Sequence, residues 1–214
     1  MYKQPEYLII LLHCCEFIAM TTSVLYYNKV KRTYWKWFSF YLVYIFIYEI
    51  SSFYVKFHSN LSISDYLSYI QIPVEFIFFF WLFAYKSLDS KGLFWIAVFV
   101  YLGSFLIESR FSNSSFVFKS INNIIGTIVM LVLVILEFLK QIRSDSILFY
   151  RENKMFYINI GVIFFYIGSM PFMGLYNYIL KVPHIWNNYY IYFMLSNCVM
   201  YLLFATSYIW GKVK

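Results

Sequence analysis

Tyr66 to Tyr85 is an apolar run that carries Ser68, Gln71 and Glu75 along its length. Such a run is long enough to cross the hydrocarbon core of a bilayer as a helix, for which about 20 residues are needed. The three polar residues recur at three- and four-residue spacing, so on a helix they share one face. A carboxylate near the middle of a membrane helix costs roughly 2.5–3.5 kcal/mol on insertion scales. Glu75 is therefore expected to point into the protein, towards a partner or a water-filled cavity.

The same pattern repeats along the chain. Of 214 residues, 62% are hydrophobic and 13% charged, with mean hydropathy +0.66. So little charge cannot cover the surface of a soluble domain of this size, and the class implied is an all-α membrane protein. Seven spans are expected in one polytopic domain: Tyr7–Tyr27, Trp37–Val55, Tyr66–Tyr85, Gly92–Ile107, Ile121–Leu139, Phe156–Leu180 and Tyr189–Trp210. The connections are short and polar, which predicts antiparallel packing of neighbours in a seven-transmembrane-helix bundle. The first apolar run contains His13 and Glu16 and lacks a small-x-small cleavage site, so it reads as a span and not as a secretory signal.

Basic residues orient the bundle. The first, third and fifth loops and the C-terminus hold twelve Lys and Arg; the N-terminus and the other loops hold five. The positive-inside bias then predicts an N-terminus outside and a cytoplasmic C-terminus. The net charge of +7 is accounted for by these loops and is no sign of a nucleic-acid partner. The 23 Tyr and 25 Phe, beside only four Ala, fit an A+T-rich coding bias, with the aromatics serving as packing and interface residues. Cys14, Cys15 and Cys198 all fall in apolar runs, form no metal or redox spacing, and read as small buried residues.

Depth follows from orientation. His13 and Glu16 share a face in the first span, Glu49 lies in the outer half of the second, and Glu75 is near the midplane of the third. Tyr166 and Ser169 lie in the sixth span and Asn197 near the middle of the seventh. Glu137, close to the cytoplasmic end of the fifth, is expected to snorkel to the interface. Pro73 and Pro171 are expected to kink the third and sixth spans, the latter flanked by Gly168 and Gly174 that permit close helix approach.

Ligand- or ion-binding candidates are thus Glu16, Glu49, Gln71, Glu75, Tyr166 and Asn197, with His13 at the outer edge. Three carboxylates in a low-dielectric space need protons or a cation to offset their charge. That chemistry suits a sensor of a small ligand or ion in an outward-facing polar cavity, or alternatively a small proton- or cation-coupled transporter. A membrane scaffold is a third reading. No catalytic motif is present: there is no H-E-x-x-H and no G-x-S-x-G. No metal-ligand spacing joins His13, His58 and His184. No cofactor is expected; a retinal Schiff base would need a lysine that the run from Tyr189 to Trp210 lacks. Glu16-Phe17 and Leu82-Phe83-Ala84 match Glu137-Phe138 and Leu203-Phe204-Ala205 at a shift of 121 residues, a faint repeat that would favour a transporter.

The stretches FIYEISSFY, YIQIPVEFIFFFWLF and FFYIGSMPFMGLYNYIL resemble a group of small seven-helix inner-membrane proteins of the Bacteroidetes lineage, often encoded beside sensor histidine kinases. The resemblance covers most of the chain. It implies an inner-membrane location and a signalling partner such as a histidine kinase, and carries over no ligand or catalytic residue.

Overall fold

The computed structural model describes residues 6–58, 61–111, 120–144, 146–174 and 182–212, with side chains 56–58, 61–69, 107–111, 120, 146, 171–174 and 183 left out of the description. The described residues are almost entirely helical. Long helices are α1 (Glu6–Leu25), α2 (Trp35–His58), α3 (Leu61–Phe80), α4 (Lys91–Phe111), α5 (Ser120–Arg143), α6 (Lys154–Gly174) and α7 (Pro183–Ile209). A single turn, Tyr27–Val30, joins α1 to α2, and a 3-10 segment, Ser146–Glu152, precedes α6.

Five segments are long and apolar enough to cross a membrane: Glu6–Leu25, Trp35–Val55, Ile70–Ser87, Ile121–Arg143 and His184–Ile209. Lys91–Leu106 and Lys154–Met170 are shorter apolar helices. The expected fourth and sixth spans correspond to these two, and residues 175–181 of the sixth lie outside the described residues.

Consecutive helices pack on one another from α1 to α7, and α7 packs back on α1, so the chain closes into a ring. The contact of α6 with α7 is the most extensive. Small residues explain it. A Cβ on Gly168 would come within 3.0 Å of the Ser196 side chain, and one on Gly161 within 3.3 Å of the Met200 carbonyl. Two backbones that approach this closely gain dispersion contact that larger residues would prevent.

Helix α2 shows how the ring divides its faces. Phe38, Leu42 and Ile45 are buried, whereas Trp37, Phe40, Ile47 and Tyr54 are exposed. In water an exposed stripe of that kind would be a liability; in a bilayer it is the lipid-facing surface. Helix α3 runs through Pro73 and then widens into a π-helical turn, Trp81–Ser87. The wider turn buries Leu82, Phe83, Ala84 and Ser87 while Trp81, Tyr85 and Lys86 stay partly exposed.

Aromatic rings fill the interior below Glu75. Tyr41 stacks on Phe78 with centroids 4.2 Å apart, Phe38 meets Phe204 edge-on at 5.2 Å, and Phe79 lies 6.1 Å from Phe204. Phe38, Phe79, Phe83 and Phe204 are all fully buried. Residues of α2, α3 and α7 therefore meet through rings across the middle of the bundle. At its far end Tyr208 shares a 2.8 Å hydrogen bond with Ser39, tying α7 to α2.

Candidate functional site

Two of the sequence candidates on α1 form a unit. His13 Nδ1 and Glu16 Oε2 are 3.0 Å apart, with Glu16 almost fully buried and His13 edge-on to Phe53 at 5.6 Å. The spacing of three residues on one helix face produces this pair. A second unit joins α3 to α6: the Tyr166 hydroxyl donates to Glu75 Oε1 at 3.3 Å. Tyr166 is held by Phe76 at 5.5 Å and by Phe165 at 4.8 Å between centroids.

Glu49 connects the two units. It lies within electrostatic reach of Glu16, His13 and Glu75. On α2 it follows Leu42 and Ile45 on the buried face, yet it is itself partly exposed, as is Glu75 on the inner face of α3 between Gln71 and Phe79. Tyr41 and Tyr201, both buried, lie within reach of the same three glutamates and form the floor towards the aromatic interior. Tyr41 was not among the residues singled out from the sequence. Its signal was present: Tyr41, Ile45 and Glu49 follow one another at four-residue spacing.

The remaining candidates sit nearby without joining the bonded units. Gln71 is buried one turn from Glu75, and its Oε1 has no hydrogen-bond partner among the described residues. Asn197 is buried, but its amide donates to Phe193 O of its own helix at 3.1 Å. Ser169 bonds within α6, to Tyr166 O. The side chains of Ser68, His58 and Pro171 lie outside the described residues.

Among the described residues no Lys or Arg pairs with Glu16, Glu49 or Glu75. Three carboxylates and one imidazole therefore share a space with no fixed counter-charge from the basic side chains. Among the described residues no three of His, Cys, Asp and Glu stand close enough together to hold a metal ion; carboxylate oxygens, a tyrosine hydroxyl and an imidazole remain a donor set for protons or an ammonium group.

A second polar group lies on the other side of the aromatic interior, and it corrects the expectation for Glu137. Glu137 does not snorkel; it is 2% exposed and accepts a 3.0 Å bond from Gln141 Nε2, leaving its Oε2 unpartnered. The residue faces inward because the α5 face that carries it also carries Met130, Leu133 and Val134, all buried. Asn159 on α6 is fully buried with both amide atoms unpartnered. Phe138 and Phe156 meet at 6.3 Å, which sets Asn159 and Glu137 at about the same depth. Tyr34, in the turn before α2, has its hydroxyl pKa pushed up to about 12, by burial and by the Glu137 charge. The Glu-x3-Gln spacing of Glu137 and Gln141 was the available sign of a shared face.

Lys154 was also misplaced by the sequence, which counted it as a loop charge. It is 4% exposed, donates to Ser207 O at 3.0 Å and stands 4.4 Å over the Tyr208 ring. It thus caps the carbonyl end of α7, where a cation is favoured. Cys14 is exposed and not buried as expected, whereas Cys15 and Cys198 are buried and face each other between α1 and α7.

Apolar helices of spanning length and an apolar, lipid-compatible exterior around an aromatic core define a helical membrane protein. In comparisons with protein-family models, curated proteins and solved structures, nothing matches the chain, so its functional reading rests on its own residues.

Proposed function

We propose that the protein is a seven-span sensor of the inner membrane, N-terminus outside, that binds a small cationic ligand such as an amine beside Glu16, Glu49 and Glu75. The observation that carries this reading is that Glu49 of α2 lies within electrostatic reach of both Glu16 of α1 and Glu75 of α3, with no Lys or Arg pairing among the described residues. Burying such a group without a counter-ion is costly, so the site is suited to a ligand that supplies the charge. The twelve-to-five bias of basic residues supports an orientation with the glutamates towards the outside.

The aromatic interior supports binding without passage. Phe38, Phe79, Phe83 and Phe204, all fully buried, pack between the glutamates and the opposite end. Occupancy would change how α1, α2 and α3 lean on α6 and α7, and a cytoplasmic partner such as a histidine kinase would read that change.

One observation favours the transporter alternative. The buried Glu137, Gln141 and Asn159 form a second polar layer beyond the aromatic barrier, as two-sided access to a carboxylate path would require. Affinity purification from native membranes followed by mass spectrometry separates the readings. A stoichiometric signalling partner, whose output is lost in Glu75→Gln, supports the sensor. Proton-driven cation uptake by the protein alone in vesicles would replace it with the transporter.

A further inference from the structure

At the end of the bundle opposite the glutamates, a crevice of about 670 Å³ lies between the start of α2 and the π-helical turn that ends α3. Its volume is in the range of small-molecule sites. Arg32, Lys36 and Lys86 line it, and no carboxylate does. Nor is any of the three cations paired with an acid among the described residues. Rings hold two of them in place: Lys36 stands 5.3 Å from the Trp37 centroid, and Lys86 stands 4.7 Å from that of Tyr85 and 5.6 Å from that of Trp81. Three unpaired cations on one concave surface complement an anion.

The shape of the crevice says what kind of anion. Its inner wall includes Phe78, a purely apolar residue. Its rim includes Trp37, and from there the exposed stripe of α2 continues through Phe40 and Ile47 along the lipid-facing surface. Tryptophan and tyrosine beside lysine and arginine at a helix end is the arrangement of the headgroup level of a bilayer. A soluble anion would use the cations alone; an amphiphile would use the cations, the rings and the stripe together. The π-helical turn contributes by presenting Trp81, Tyr85 and Lys86 to the crevice from one widened turn, a device found at functional sites.

We infer that this crevice is a binding site for one anionic glycerophospholipid, its phosphate among Arg32, Lys36 and Lys86 and its acyl chain along Trp37 and Phe40. The site is separate from the glutamate cluster and does not depend on the function proposed for it.

The protein would be reconstituted in nanodiscs of phosphatidylcholine containing phosphatidylglycerol, then released and its retained lipid counted by native mass spectrometry. One equivalent of phosphatidylglycerol is expected, falling at least tenfold in the triple variant Arg32→Gln, Lys36→Gln, Lys86→Gln. The triple variant Lys31→Gln, Lys91→Gln, Arg143→Gln removes the same charge elsewhere and should retain the lipid. Equal loss in both would show general charge attraction and overturn the site. Displacement of the lipid by inorganic phosphate or glycerol phosphate at millimolar concentration would show a free-anion site and overturn the lipid assignment. A second readout serves if the triple variant does not fold. Phosphatidylglycerol brominated on its acyl chain should quench tryptophan fluorescence at least twofold more than brominated phosphatidylcholine, and Trp37→Phe with Trp81→Phe should abolish the difference. Equal quenching by the two lipids in the unmodified protein would overturn the inference.

Discussion

Single polar contacts inside this bundle carry measurable consequences. The Tyr166 hydroxyl bonded to Glu75 links α6 to α3, and a hydrogen bond of this kind contributes about 0.5–1.5 kcal/mol. Tyr166→Phe should lower unfolding stability in mild detergent by that amount, as measured by denaturant titration, with the ring packing on Phe76 retained. Lys154 is a stronger case, because a buried ammonium caps the α7 carbonyl end. Lys154→Met should cost roughly 1.5–3 kcal/mol, the range for hydrogen bonds to charged groups. Tyr34 supplies a pH dependence. Its pKa of about 12 in the folded protein exceeds the ordinary value near 10. The unfolded chain therefore loses this proton first as pH rises, and stability should fall between pH 10 and pH 12. Tyr34→Phe should remove that part of the alkaline loss; an unchanged pH profile would show that Tyr34 does not titrate in this way. Polar residues in apolar runs were legible as inward-facing, since lipid offers them no partner. Partners were not, because Tyr166 and Glu75 are far apart in the chain. Glu137 was misread because depth was inferred from chain position, whereas its inward direction is set by the face it shares with Met130, Leu133 and Val134.

Helices follow from the same runs that make the chain insoluble, and their boundaries were close to the apolar limits. The second helix extends from Trp35 to His58 and the third begins at Leu61, so polar flanks were absorbed into helix. Hydropathy stops counting at a charge, whereas a helix in an interface does not. The π-helical turn was hidden, since no residue type specifies it. Helix pairing depends on small residues. Gly168 on α6 faces Ser196 on α7, and Gly168→Val should overpack the contact and cost about 1–3 kcal/mol, read as a lower melting temperature. Gly92 has open space around its Cβ position, so Gly92→Ala should leave melting nearly unchanged. Equal effects at the two positions would contradict the close approach of α6 and α7.

Ring closure and the aromatic interior belong to the whole molecule. Helix order around a bundle is not written in any one run, so the meeting of Glu16, Glu49 and Glu75 depended on α1 packing between α2 and α7. The molecule then has the glutamate cluster on one side of a ring-filled core and a second buried polar layer on the other. In the proposed orientation this core closes the glutamates off from the cytoplasm. Cysteine labelling tests it most directly. In a background where Cys14, Cys15 and Cys198 are replaced by Ala, Glu75→Cys and Glu49→Cys would be exposed to a membrane-impermeant thiol reagent from each side of oriented membrane vesicles. Labelling from the outside alone, slowed at least several-fold by the bound cation, is the result expected here. Labelling of Glu75→Cys from the cytoplasmic side would contradict the account.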